Sequence, residues 1–279
     1  MHLWVLPRNY CINTIHHNWD QNTIFKLFYL LAGKEKKMAN TKISWLGHAS
    51  ALVEFADRVI YFDPWLDDNP VCPIKRSDVK KATAICATHG HVDHLGDSFD
   101  LVRQTGATLI CTPELGFYAD SKGLREGEHV YGLNTGGSWR SEGFTITMVP
   151  ASHTSEIMGD GWVDGPIQPG SGAVGFILAI DNGGSIYFSG DTGVCADMQI
   201  IRDLYRPNLA IMPVGGKYNM GYREAAYACA LLWPEYLIAT HHGTFEDQQL
   251  NLDNLEGEMK VRAPGVKLVR LKPGESFEC

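Results

Sequence analysis

The chain has 279 residues, a net charge of −8, 44% hydrophobic residues and 20% charged residues. That length and balance suit one large α/β domain with a substantial core. The negative charge, with no basic tract beyond Lys34-Glu35-Lys36-Lys37, argues against nucleic acid as a partner, and no stretch approaches the ~20 apolar residues of a membrane span.

Residues 1–37 differ from the rest of the chain. They hold His16-His17 and the short apolar run Leu27-Phe28-Tyr29-Leu30-Leu31-Ala32. A secretory signal would carry its basic residues and apolar core nearer the start and end on a small-residue cleavage site. The stretch is expected to be an N-terminal extension of a domain spanning 38–279. A short amphipathic helix docking on that domain or on a partner is the alternative. From Lys42 the pattern is dense in β-structure. Residues 43–46, 51–55 and 59–62 read as consecutive strands, the last two joined by the turn Ala56-Asp57-Arg58. Residues 84–88 read as a buried strand. Asp97 or Ser98 is expected to cap a helix running through Arg103, and 108–111 returns as a strand.

In the second half, 144–149 reads as a strand ending at Pro150. Residues 155–172 are rich in Gly, Asp and Pro and show no period. A loop of that length in a compact domain is often a lid or binding loop. Residues 174–180 and 185–189 flank Asp181-Asn182-Gly183-Gly184, a hairpin signal. Helices near 198–206 and 223–232 alternate with strands at 209–212 and 236–240. Strands in two groups with interleaved helices fit a layered α/β architecture. The seven cysteines are odd in number and form no Cys-x-x-Cys pair, so reduced thiols in a cytosolic protein are expected.

Chemistry concentrates just after the 84–88 strand, in Thr88-His89-Gly90-His91-Val92-Asp93-His94-Leu95-Gly96-Asp97. Three histidines and an aspartate within six residues suit zinc, manganese or iron. In an extended stretch alternate residues share a side, so His89, His91 and Asp93 converge and His94 reaches a second point nearby. That arrangement points to two divalent ions side by side, with water activated between them. Three further strands end in a metal-type side chain. His153 follows 144–150, Asp191 follows 186–190, and His241 follows 236–240. Each alone is weak, since such residues at strand ends commonly cap, hydrogen-bond or face water. The joint pattern is much stronger.

Taken in order, His89-x-His91-x-Asp93-His94, His153, Gly190-Asp191-Thr192 and His241 resemble the metallo-β-lactamase superfamily. Within it the chain is most similar to small metal-dependent hydrolases related to L-ascorbate-6-phosphate lactonase. The supporting stretches are Leu46-Gly47-His48-Ala49, Asp63-Pro64-Trp65-Leu66, Gly190-Asp191-Thr192-Gly193, Met220-Gly221 and His241-x-x-Thr244-Phe245. The resemblance covers about residues 42–272. It implies a four-layer αββα sandwich with a dinuclear site along one edge. It implies that His89, His91 and His153 hold one metal, that Asp93, His94 and His241 hold the other, and that Asp191 bridges both. Zinc is the expected metal, with manganese or iron as alternatives.

The same resemblance implies further roles. Asp93 is expected to accept the proton of the attacking water while it ligates. His48 is expected to orient substrate or protonate a leaving group, with a strand-end hydrogen bond as the alternative. Asp63 is expected to steady the ligand loop. His242 would point to the opposite strand face from His241, as a pocket residue or a packing residue. Relatives in this branch often carry an acid after their Pro-x-Gly stretch. Here Pro213-Val214-Gly215 continues with Gly216-Lys217-Tyr218-Asn219, so Lys217 and Tyr218 become candidates to meet a substrate anion, a solvated Lys217 being the alternative.

The expected function is hydrolysis, by a hydroxide bridging two divalent metals, of an ester, lactone or phosphoester bond in a small molecule. The alternatives are a non-catalytic metal-binding scaffold, against which the full ligand set argues, and an iron-dependent redox protein on the same fold. The expected setting is the cytoplasm, with a small-molecule substrate and no nucleic-acid or membrane partner. Assembly into a homo-oligomer would match related enzymes.

Overall fold

The structure, a computed structural model, describes residues 40–158 and 167–279. The extension expected over 1–37 and the middle of the 155–172 loop lie outside the described residues. Among the described residues, fourteen strands form two seven-stranded sheets. The first runs, in spatial order, β14 (Ser276–Glu278), β1 (Thr41–Trp45), β2 (Ala51–Phe55), β3 (Arg58–Phe62), β4 (Ala84–Cys86), β5 (Thr108–Cys111) and β6 (Val130–Gly132). The second runs β13 (Lys267–Val269), β12 (Tyr236–Thr240), β11 (Leu209–Pro213), β10 (Ser185–Phe188), β9 (Val174–Ile180), β8 (Phe144–Pro150) and β7 (Ser138–Ser141).

Each sheet is half antiparallel and half parallel. In the first, β14, β1, β2 and β3 pair antiparallel, and β3 through β6 pair parallel. In the second, β7 through β10 are antiparallel, and β10 through β13 are parallel. The parallel strands therefore end at one common edge of each sheet. β1 runs with β3, and β8 runs with β10, because one antiparallel neighbour separates each pair. Their ends join the same edges. Open α/β sheets gather ligands at such carboxyl ends.

Side-chain alternation divides the core into layers. Inward residues Phe62, Cys86 and Ile110 of the first sheet pack with Phe144, Phe176, Phe188 and Ile211 of the second. The Phe62 and Phe188 rings stack 4.8 Å apart across this interface. Outward residues Ile85 and Leu109 are covered by Leu101 and Val102 of α2 (Ser98–Thr105) and by Leu115 and Ala119 of α3 (Pro113–Ser121). On the other side, Tyr187, Ala210 and Leu237 meet α4 (Asp197–Tyr205), α5 (Tyr222–Leu232) and α6 (Leu252–Arg262) through Met198, Ile201, Cys229 and Leu255. The result is the four-layer αββα sandwich.

Several local expectations shift. α3 has no counterpart among the expected helices, although Thr112 caps it by accepting the Leu115 N–H and Pro113 opens it. Asp97 stands at the start of α2 but does not cap it with its side chain. Its carboxylate instead accepts the Leu66 and Asp67 amides at 2.7 and 3.0 Å, tying down the loop after β3. The His-rich segment is not extended throughout. After His91 it winds into the short helix α1 (Val92–Leu95), which places Asp93 and His94 on a helical turn.

Candidate metal centre

The candidate residues gather at the common strand edge, from both sheets. β4 leads to Thr88, His89 and His91, and α1 carries Asp93 and His94. His153 follows β8, Asp191 follows β10 and His241 follows β12. Asp63 follows β3, and His48 lies between β1 and β2. Glycine makes two of these approaches feasible. A Cβ on Gly90 would lie 2.7 Å from the Ile157 side chain, and one on Gly190, at φ +57°, would lie 2.6 Å from Thr88.

Asp191 is the centre of the cluster. Its Oδ2 lies 3.2 Å from His241 Nε2 and 3.5 Å from both His94 Nε2 and His153 Nε2. Asp93 Oδ2 lies 3.6 Å from His241 Nε2 and 3.8 Å from His94 Nε2. His89 Nε2 and His91 Nδ1 are 3.0 Å apart. One ligand atom each from His89, His91 and His153 falls within 4.8 Å of the others, and so do those of His94, Asp191 and His241. All seven predicted ligand residues are thus brought together.

Neighbouring groups fix which nitrogen of His89 and of His94 points inward. Asp63 is fully buried and accepts three hydrogen bonds: from Thr88 N (2.7 Å), Thr88 Oγ1 (2.6 Å) and His94 Nδ1 (2.7 Å). Because Thr88 Oγ1 donates to Asp63, its oxygen is left to accept from His89 Nδ1 at 2.9 Å. Asp63 therefore orients two histidines, and both present Nε2 to the cluster. This is the arrangement by which a carboxylate fixes a ligand tautomer. Thr88 is a site residue that the sequence reading misses; its position directly before the first histidine is the available signal.

Charge is arranged to match. Burial pushes the Asp191 carboxyl up, but His241 and His94 outweigh it and hold it well below the usual carboxylate range. Burial opposes ionisation of Asp93 too, and His94, His241 and His48 outweigh it. Burial pulls His89, His91 and His153 below the ordinary imidazole value, with neighbouring His94 acting the same way on each. His241 loses by burial but gains more from Asp191, rising to about 9. Burial lowers His94 as well, but Asp191, Asp93 and Asp63 outweigh it, and His94 rises well above the ordinary imidazole value. Since metal binds ionised carboxylates and neutral imidazoles, binding at His94 and His241 would displace their protons.

The fit to metal is tested by what the buried polar atoms lack. Asp93 Oδ1, Asp191 Oδ1, His94 Nε2 and both ring nitrogens of His241 are buried without a hydrogen-bond partner. Leaving so many buried polar atoms unpaired would cost about 1–3 kcal/mol each. Coordination of a divalent cation would give His94 Nε2 and His241 Nε2, which face Asp191 in the cluster, a partner, and an N/O donor set without thiolate suits zinc, manganese or iron. The residues fit the group.

Other predicted residues fall differently. His48 is fully buried. Its Nε2 donates to Asp93 Oδ2 at 2.9 Å and its Nδ1 meets Thr244 Oγ1 at 2.9 Å. Its carbonyl accepts from His241 N and Trp45 Nε1, both at 2.8 Å. It is not among the residues lining the adjoining cavity, and its contacts are hydrogen bonds to Asp93, Thr244, His241 and Trp45, the alternative expected for it. His242 packs on Trp45, ring centroids 5.0 Å apart, and does not line the cavity either. His241 adopts φ +59° past the strand end, so simple strand alternation does not relate the two. Lys217 is paired with Asp247 and lies over the Tyr218 ring, while Tyr218 and Asp247 line the cavity.

That cavity, of about 630 Å³, opens onto His91, Asp93, His153, Asp191 and His241. Phe245 and Gln248 also line it. Phe245 belongs to the His-x-x-Thr-Phe stretch; Gln248 carries no sequence signal.

A two-sheet sandwich with a His/Asp cluster at its strand edge defines a class, and the family model described as "Beta-lactamase superfamily domain" matches residues 58–242. The chain is 40% identical over 237 residues to a UPF0173 metal-dependent hydrolase of Methanopyrus kandleri, covering 85% of this chain and 99% of that one. Igni18, a metallo hydrolase from Ignicoccus hospitalis, superposes with a TM-score of 0.73 at 29% identity, covering 86% and 99% of the two chains. The metallo-beta-lactamase fold protein YhfI of Bacillus subtilis shares the fold at a TM-score of 0.61 and 15% identity, covering 86% of this chain and all of that one. The chain belongs to the UPF0173 metal-dependent hydrolase family of the beta-lactamase superfamily.

Proposed function

We propose that His89, His91 and His153 hold one divalent cation, that Asp93, His94 and His241 hold a second, and that Asp191 serves both. The chain would use this centre to hydrolyse an ester, lactone or phosphoester bond in a small molecule. The observation that carries the reading is the pair of buried, unpartnered Nε2 atoms of His94 and His241 facing Asp191 beside an open cavity. Zinc is the preferred metal, with manganese and iron suited to the same donors.

Bound there, divalent cations supply Lewis acidity that lowers the pKa of water and polarises the oxygen of the scissile group. Water gives OH to the acyl carbon or phosphorus, the bond to the leaving oxygen breaks, and that oxygen takes a proton. Asp93 is assigned to receive the proton of the attacking water; it lines the cavity, and its Oδ2 accepts from His48, which supports that reading. His48 acts through Asp93 and through the His241 backbone as a positioning residue. The described cysteines are free thiols, which supports a reducing compartment such as the cytoplasm.

Metal analysis after dialysis is expected to give about two equivalents per chain and fewer for Asp191→Ala. A screen of lactones, phosphodiesters and simple esters should find an activity that chelation abolishes and metal restores. Full activity in metal-free protein would overturn the reading.

A further inference from the structure

The residues lining the cavity fall into two unlike groups. One is the His/Asp cluster. The other is Phe245, Met158, Tyr218, Thr154, Gln248 and Asp247. A single 3-10 turn, Glu246–Gln248, presents several of these together. It is closed by Gln248 N–H donating to the Phe245 carbonyl at 3.1 Å and by Gly243 N–H donating to the Gln248 carbonyl at 2.9 Å.

Three features of this second group bear on what it receives. Half of its side chains, Phe245, Tyr218 and Met158, are aromatic or thioether, which rewards apolar contact. Its carboxylate, Asp247, is paired with Lys217, which also lies 4.7 Å from the centre of the Tyr218 ring. The ammonium is thus committed to a neighbour, and Lys217 does not itself line the cavity. Gln248 is 4% exposed, and its Oε1 is buried without a hydrogen-bond partner. An amide carries donors and an acceptor in one neutral group. A small-molecule pocket is typically apolar with a few such groups setting orientation.

We propose that this second group of lining residues binds the neutral, apolar portion of an acyl substrate, with one hydroxyl or amide group meeting Gln248, and that it selects against an anionic tail. The proposal rests on the hydrolase reading and names its substrate class. A phosphate or sulfonate placed there would face Asp247 and aromatic carbon in place of an available cation. A phenyl or alkyl tail would cover Phe245, Met158 and the Tyr218 ring.

The test uses matched δ-lactams, inert analogues of lactones, titrated calorimetrically into the zinc-loaded full chain. One carries a hydroxyphenethyl tail and the other a sulfonate tail, a permanent anion and a poor metal ligand. The aryl lactam is expected to bind about tenfold tighter or better. Gln248→Leu should weaken the aryl lactam about fivefold through loss of one hydrogen bond. Asp247→Asn releases Lys217 and should strengthen the sulfonate lactam about fivefold. Tyr218→Ala, at an exposed position, serves if Gln248→Leu fails to fold; it should weaken only the aryl lactam. Equal or tighter binding of the sulfonate lactam to the unmodified chain overturns the proposal. The corresponding lactones separate the two readings. Selective binding with no turnover of either lactone counts against hydrolysis and supports the pocket assignment. Turnover of both at equal efficiency supports hydrolysis and overturns the pocket assignment.

Discussion

Asp63 never reaches the cavity, yet two of the proposed ligands depend on it. Its three hydrogen bonds, direct to His94 and through Thr88 to His89, hold both rings with Nε2 inward. Asp63→Asn keeps the shape but replaces an acceptor with a donor and removes the charge facing His94. Zinc affinity is expected to fall about 10–100-fold, read by competition with a chromophoric chelator. Unchanged affinity would mean that packing alone orients the two rings. His48 acts on the other side of the cluster, where its side chain holds Asp93 and its carbonyl holds the His241 amide. His48→Ala is expected to lower kcat about 10–100-fold while KM stays within about twofold. A KM that rises in step would indicate substrate contact instead. Both residues, with His241, have left-handed backbone: φ is +45° at Asp63, +50° at His48 and +59° at His241. Such conformations persist where surrounding contacts over-determine them, as the hydrogen bonds here do.

Among the elements, the short connections after the strands carry the site, and their backbone is under the tightest constraint. Gly190, between β10 and Asp191, combines φ +57° with Thr88 atoms 2.6–2.8 Å from where a Cβ would sit. Gly190→Ala is expected to destabilise the fold by at least about 2 kcal/mol, measured by urea unfolding. A loss below about 0.5 kcal/mol would show that Thr88 yields freely. Connections of this kind are the legible part of the sequence. An apolar run followed by a His or Asp marks a strand end whatever the partner strand, so β4, β8, β10 and β12 are legible close to their observed limits. Of the three-residue strands, β4 is marked by the ligand run that follows it, whereas β6, β13 and β14 have no such marker and are too short to show a period. β14 also pairs with β1, more than 200 residues away in sequence, a contact that no local pattern announces. The helical turn of α1 is hidden because ligand spacing alone does not distinguish a strand end from one turn of helix. His48 is legible as a site residue, but burial decides which way it acts.

At the scale of the whole molecule, three thiols lie in the packed layers. Cys86, Cys111 and Cys229 are fully buried. Burial pushes all three above the ordinary thiol value of 9.0, Cys229 to about 12. Their raised folded-state values make stability complete below the unfolded value and lost as pH rises toward the folded one. The thiol contribution should therefore be level below about pH 8, where any fall of the urea midpoint belongs to His241, raised to about 9, and the midpoint should fall further between about pH 9 and 10.5, each thiol contributing up to about 1.4 kcal/mol per pH unit. Cys229→Ala should make that fall shallower; an identical slope would exclude the thiol as a cause. The same layered build has a consequence for assembly of the chain. Four proposed ligands come from the first sheet's edge and three from the second's, so each half alone holds an incomplete set. Metal availability then becomes a clamp on the sandwich, adding RT ln(1 + [M]/Kd) to the free energy that keeps the halves together. Two separately produced halves, cut between β6 and β7, would associate more tightly when zinc is supplied, and the cation would act as a reporter of correct pairing before it serves any chemistry.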